Sequence, residues 1–309
     1  IMNVLPQKER IAAIKEAIDD KKGTVQYSSS EVKEVPLIQI PIGVLIHNSD
    51  NTRNLHEVLD YTGKKEVAEA YQILYEKRDD AATQKILNDW NLDEAKTSSQ
   101  SIYKTLKNNK IQGKDHLIID GEGIVIDGNR RLASMRDLYQ TDPIGFKKFE
   151  QISCLLATEV GFNKNNRKIA EQIEKFINRT KDMRLPHNWL STAFRNSSEI
   201  DSIRATIKSH EVNEAVEILG NELGMSVPEV FKFLYKKEAV TKYLEFRKEY
   251  DEDWDEDEMG YSTLSKEKIE QDMEEIGKVF FKRISPEEKD LRAKTAFTVV
   301  FGQKKGYTT

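Results

Sequence analysis

The sequence predicts an α+β protein, a small mixed β-sheet domain followed by a mostly helical domain. Three observations point there. Short runs rich in Ile, Leu and Val with strand character fall in the first half, at 34–41, 117–126 and 152–157. Stretches with helical spacing of apolar residues separate those runs, and from 190 to 250 the pattern is almost wholly helical.

A chain of 309 residues is long enough for two domains, or three small ones, each with a core. A third of the residues are charged and the mean hydropathy is -0.65, the balance of a water-facing globular protein. No apolar run approaches the ~20 residues that span a bilayer. The sequence opens without a signal-peptide core. Cys154 is the single cysteine, which excludes a disulfide within the chain and argues against a cysteine-based zinc site. These features lead us to expect a cytoplasmic protein with no membrane partner. The net charge of -5 speaks against a general nucleic-acid coat but leaves room for a local basic groove.

Taken in order, residues 6–22 carry Ile11, Ile14 and Ile18 at helical spacing and predict an amphipathic helix ending at Gly23. Glu34-Val35-Pro36-Leu37-Ile38-Gln39-Ile40-Pro41 predicts a strand, with its prolines marking an edge. The polar stretch 47–54 predicts a loop, and 55–96 reads as helix. A further helix is expected over 99–106, a third strand over 152–157, and a helix over 167–179 with Ile169, Ile173, Phe176 and Ile177 on one face. The acidic run 249–258 reads as a solvated linker, because the calcium-loop pattern with its central Gly and terminal Glu is absent. A helix near 266–281 and a strand over 295–301 close the chain.

The stretch Leu117-Ile118-Ile119-Asp120-Gly121-Glu122-Gly123-Ile124-Val125-Ile126-Asp127-Gly128-Asn129-Arg130-Arg131-Leu132-Ala133 carries the chemistry. It predicts strand, tight turn, strand, then a helix opening on Gly128, Asn129, Arg130 and Arg131. Open backbone N–H groups and the positive end of the helix dipole would meet two guanidinium forks there, an arrangement suited to phosphate. A solvated basic pair after ordinary Asp-Gly turn chemistry is the alternative. Arginine in a first helical turn is mildly disfavoured by the dipole, which suggests a further reason for the pair.

Downstream, residues 215–234 have helix-turn-helix cadence: an apolar helix breaks at Gly224, Ser226 caps the next, and Val230 and Leu234 anchor it. A plain helical bundle shows the same cadence. Were it to read DNA, Ser226, Lys232, Lys236 and Lys237 are the candidate contacts, with Lys232 and Lys236 one turn apart to track phosphates. The five histidines are scattered without metal-ligand spacing, and neither a phosphate-binding Gly-x-x-x-x-Gly-Lys loop nor a Gly-x-Ser-x-Gly elbow occurs.

In order, these pieces resemble the ParB/sulfiredoxin-like superfamily, specifically an N-terminal ParB domain followed by a helix-turn-helix domain. Pro36-Leu37-Ile38-Gln39-Ile40 before Asn51-Thr52-Arg53, then Ser101-Ile102-Tyr103-Lys104-Thr105-Leu106, His116-Leu117-Ile118-Ile119 and Gly128-Asn129-Arg130-Arg131-Leu132-Ala133 carry the resemblance, over about 34–245. The stretch between Arg53 and Ser98 is longer than in a minimal ParB domain. The resemblance implies an N-terminal helix or arm over 1–29, a nucleotide- or phosphate-binding domain over 30–165, a helical domain over 166–250 and an acidic linker with a C-terminal segment over 251–309.

It further implies a pocket at Gly128, Asn129, Arg130 and Arg131, completed by Arg53 and by Asn178 and Arg179 of Phe176-Ile177-Asn178-Arg179, for a nucleoside triphosphate such as CTP or ATP. The box has Asn129 where Glu is usual in partition proteins, and no acidic residue precedes Asn178. Mg2+ would then need Asp127, Glu174 or water. In sulfiredoxin the cysteine sits inside the box, whereas Cys154 lies on an apolar strand and reads as a small buried hydrophobe.

The expectation is nucleotide-responsive DNA binding, with DNA and nucleotide as partners and a homodimer as the assembly. One alternative is an NTPase, phosphotransferase or nuclease of a plasmid, phage or defence system, with Asp127 as base. The other is a non-catalytic protein-interaction module.

Overall fold

The computed structural model describes residues 4–28, 31–97, 101–113, 115–161, 163–179, 188–208, 211–251 and 260–304, with backbone alone at 164, 178, 179, 303 and 304. In chain order the elements are α1 (Gln7–Glu16), β1 (Lys22–Gln26), β2 (Val32–Pro41), β3 (Ile46–His47), α2 (Leu55–Thr62), α3 (Val67–Glu76), α4 (Ala81–Thr97) and α5 (Ile102–Asn109). Then come β4 (Leu117–Ile119), β5 (Ile124–Asp127), α6 (Asn129–Thr141), β6 (Gln151–Leu156), α7 (Lys164–Arg179), α8 (Trp189–Ile207), α9 (Val212–Leu223), α10 (Val227–Tyr250), α11 (Tyr261–Lys266), α12 (Glu270–Phe280) and α13 (Pro286–Lys304). The protein is thus mixed α+β, a sheet near the N-terminus followed by helices. Two compact units result, one from Ile1–Asn51 with Gln72–Arg184 and one from Thr52–Tyr71 with Leu185–Thr309. The boundary falls inside α3.

The first unit is built on a six-stranded sheet of order β1-β2-β6-β4-β5-β3, with β6/β4 and β5/β3 parallel and the remaining neighbours antiparallel. The alternation of side chains along each strand sorts the core into two faces. Ile38, Ile40, Val125 and Cys154 join Ile14 of α1 with Leu132 and Met135 of α6 on one side. Tyr27, Ile126, Leu155 and Ile173 of α7 form the other. Cys154 is fully buried, and burial pushes its thiol well above the ordinary range, as expected of a packing residue.

β2 is an interior strand, unlike the edge that its prolines suggested. Its first half pairs with β1 from Val32 to Pro36 and its second with β6 from Leu37 to Pro41. Each proline thus closes a ladder, where a missing N–H costs least. The second unit packs α8, α9, α10, α11, α12 and α13 around Ile200, Val216, Leu219 and Val230 and around the rings of Tyr243, Phe246 and Phe297. α10 and α12 cross closely at Gly277, where an added Cβ would lie 2.0 Å from the Tyr235 carbonyl oxygen.

Residues 295–301, read as a strand, belong to α13: Ala293, Phe297 and Val300 are buried at helical spacing. The helix read over 6–22 ends at Glu16, and residues 22–26 form β1. Most of the acidic run, together with His187, His210 and 99–100 of the expected α5 helix, lies outside the described residues. Among the described residues no helix is long and apolar enough to cross a membrane.

Candidate functional site

The strand–turn–strand–helix stretch folds as its residues predict. β4 passes through Asp120–Gly123 into β5. Asp120 Oδ1 accepts N–H bonds from Glu122 and Ile124, both at 2.8 Å, the self-capping that favours Asp in tight turns. At the far end of β5, Gly128 stands at φ 101°, a left-handed conformation that turns the chain directly into α6. A Cβ there would lie 2.4 Å from Leu117 Cδ2, so glycine is required by backbone and by space. No side chain caps α6. The first intrahelical bond runs from Leu132 N–H to Gly128 O at 2.9 Å, and the N–H groups of the preceding turn have no intrahelical acceptor.

The four residues of the box divide the work. Asn129 turns inward: its Nδ2 donates to Val125 O at 2.8 Å, and its Oδ1 accepts the Asn48 N–H at 3.2 Å. The same Oδ1 lies 3.2 Å from Nδ1 of His47. Because those contacts fix the Asn129 amide, Nδ1 of the neutral imidazole carries the proton. Nε2 faces Asn88 Oδ1 at 3.1 Å. His47 is buried, and burial, reinforced by the charge of Arg136, holds its pKa down to about 3. Arg131 is structural, donating to the carbonyls of Asp115 (2.6 Å) and His116 (3.4 Å) and pairing with Asp127 at 3.2 Å. Arg130 instead pairs with Glu94 of α4 at 3.5 Å.

Glu174 of α7 joins the cluster through Asn48, whose Nδ2 donates to Glu174 Oε2 at 3.2 Å. Comparison with protein-family models, with curated proteins and with solved structures returns no match. An uncapped helix end with the Arg130 guanidinium in its first turn is an arrangement chemically suited to an anion. The described residues contain no group of three or more Asp, Glu, His or Cys side chains placed to hold a metal ion.

The other candidate residues lie elsewhere. Arg53 sits in a short 3-10 turn of the second unit, and the side chains of Asn178 and Arg179 lie outside the described residues. In the helix-turn-helix stretch, Gly224 ends α9 in the left-handed conformation, and Ser226 and Glu229 form a capping box at the start of α10. Lys232 pairs with Glu274 of α12 at 3.2 Å, and Lys236 with Glu270 at 2.5 Å. Lys237 stands 3.8 Å from both Glu66 and Asp201. DNA phosphates would have to displace these carboxylates.

Sequence reasoning passed over one further feature of the first unit. A small cleft is lined by Asn48, Asp50, Tyr75, Asp120, Glu122, Ile124, Arg167, Ala170 and Glu171. Asp50, Asp120 and Glu122 are more than nine-tenths buried. Burial raises Asp50 against the pull of Arg167, and pushes Asp120 up to about 7, with the Glu122 charge adding to the rise. The only sequence signal was the pair of acidic residues in Asp120-Gly121-Glu122-Gly123, which reads as ordinary turn chemistry.

Proposed function

We propose that this chain is a ParB-like protein that binds a nucleoside triphosphate, or the phosphate of a related ligand, at the N-terminus of α6. The observation that carries the reading is the left-handed Gly128 delivering β5 straight into an uncapped helix end, with Arg130 in the first turn. Arg130 would exchange its 3.5 Å pairing with Glu94 for phosphate oxygens, while Arg131 keeps the turn in shape. Asn129 is spent on the interior, so the base is read by other groups. Magnesium would enter with the triphosphate, held by its oxygens and water, with Glu174 as the carboxylate tied to the box through Asn48. Binding is favoured over hydrolysis at this point because Asp127, the candidate base, is engaged by Arg131 at 3.2 Å. Nucleotide-responsive DNA binding by the helical unit remains the wider proposal, resting on the turn at Gly224 and the capping box at Ser226.

Calorimetric titration with CTP, ATP, GTP and UTP, each with and without magnesium, tests the reading. Saturable binding of one nucleotide, weakened roughly tenfold or more in Arg130→Ala, supports it. An affinity unchanged in that variant, or no binding of any of the four, removes it.

A further inference from the structure

The loop after α6 holds an apolar tip out in water. Gly145 N–H donates to Asp142 Oδ1 at 2.8 Å, Phe146 N–H to Asp142 O at 3.0 Å and Phe149 N–H to Phe146 O at 2.8 Å. Phe146 and Phe149 turn inward and stack at 5.8 Å, which anchors the loop in the core of the first unit. Ile144, at the apex beside Pro143, is nevertheless 90% exposed. One exposed isoleucine is ordinary by itself. Its setting is not. Lys147 and Lys148 follow it, and Lys110 at the end of α5 reaches the same place, its Nζ 5.7 Å from the centroid of the Phe146 ring. Lys107 in the last turn of α5, and Ile111, 44% exposed, extend the patch. All four lysines are exposed, and among the described residues none forms an ion pair. The loop and the end of α5 thus carry four ammonium groups against two carboxylates, Asp142 and Glu150, in a chain whose net charge is -5.

We propose that this patch rests on an anionic lipid surface, with Ile144 entering the boundary between headgroups and acyl chains and the four lysines held by the lipid headgroup charges. Apolar burial and attraction to anionic lipid add there, so one surface satisfies both features. A nucleic-acid backbone would engage the lysines and leave Ile144 in water. Residues 107–111 and 142–150 also contain no arginine and no exposed aromatic ring for reading base edges or stacking on bases. One loop with four lysines gives weak, salt-sensitive attachment rather than a permanent anchor. The proposal amends the expectation of no membrane partner, which rested on the want of a spanning segment and does not bear on a surface-bound loop. It is independent of nucleotide binding at α6.

The test is co-sedimentation of the full chain with vesicles of phosphatidylcholine alone and of phosphatidylcholine mixed with phosphatidylglycerol, at low and at raised salt, with a DNA duplex as a separate arm. Binding to the anionic vesicles is expected, weakening as salt rises, with little or none to the neutral ones. Ile144→Ser and the double variant Lys147→Glu/Lys148→Glu alter exposed side chains, so both should unfold at the parental denaturant midpoint. Each should weaken vesicle binding roughly tenfold or more, the first by removing the inserted side chain and the second by reversing charge at the surface. In Ile144→Trp, binding should persist and the tryptophan emission should shift to the blue on anionic vesicles. No binding to anionic vesicles, equal binding to neutral ones, an affinity unchanged in Ile144→Ser or in the double-lysine variant, or unshifted emission in Ile144→Trp would overturn the proposal. Duplex DNA bound more tightly than the vesicles, through the same lysines, would overturn it as well and reassign the patch to nucleic acid.

Discussion

At the scale of single residues, Gly128 and Asp120 set limits that can be measured. Gly128→Ala must hold a side chain at φ 101° and push Leu117 aside, so it should destabilise the fold by about 1–3 kcal/mol, read from the denaturation midpoint. Asp120 has a folded pKa raised from 3.8 to about 7. Its contribution to stability is therefore fully present below the unfolded value near 3.8 and is lost as pH rises through about 7. Asp120→Asn should remove that loss and stabilise the protein at pH ~8 by about 2–4 kcal/mol, with little change at pH ~4. A variant whose stability follows the same pH curve as the parent would contradict the buried-carboxyl assignment. His47 runs the opposite way: its pKa is depressed from 6.5 to about 3, so its share of stability is lost as pH falls across that interval. The box was legible at this scale as a turn into a helix. The division of labour within it was not, because adjacent arginines look alike in sequence and only the fold sends Arg131 to backbone carbonyls and Arg130 to Glu94.

At the scale of elements, strands with strong β-branched character and long amphipathic helices were readable, whereas short or context-dependent ones were not. β1 buries one residue in five, Val25, and offers no alternation strong enough to separate it from a helix tail. Thr295-Ala296-Phe297-Thr298-Val299-Val300-Phe301 has the composition of a strand, yet Phe297 packs on Tyr243 at 5.3 Å and Phe246 at 5.7 Å as part of α13. Tertiary packing overrides propensity there. The crossing of α10 and α12 gives an element-scale prediction. Gly277→Ala places a methyl group against the Tyr235 backbone, which cannot yield as a side chain tip does. It should cost roughly 1–3 kcal/mol, measured by thermal or denaturant unfolding. Wild-type stability in that variant would mean the two helices do not meet as described.

At the scale of the whole molecule, the division into a sheet-bearing part and a helical part was visible from where the strand-like runs stop. The return of 52–71 to the second unit was not visible, since a helical stretch carries no local mark of the core it will join. The cleft is likewise a product of the whole first unit: the loop after β3, α3, the β4–β5 turn and α7 each supply a wall. Of the paired substitutions in the box, Arg131→Ala should lower stability by about 1–3 kcal/mol because it frees two carbonyls and Asp127, and Arg130→Ala should leave stability within about 1 kcal/mol. Denaturation curves separate these outcomes, and equal losses from the two would contradict the assigned roles.

The central claim is that the N-terminus of α6 receives phosphate. Amide proton–nitrogen correlation spectra recorded during titration with CTP or ATP report directly on the N–H groups of Asn129, Arg130 and Arg131. Saturable shifts concentrated on those three amides and their neighbours at Gly128 are predicted. Spectra that do not move, or shifts confined to other elements while these amides stay still, would contradict the account.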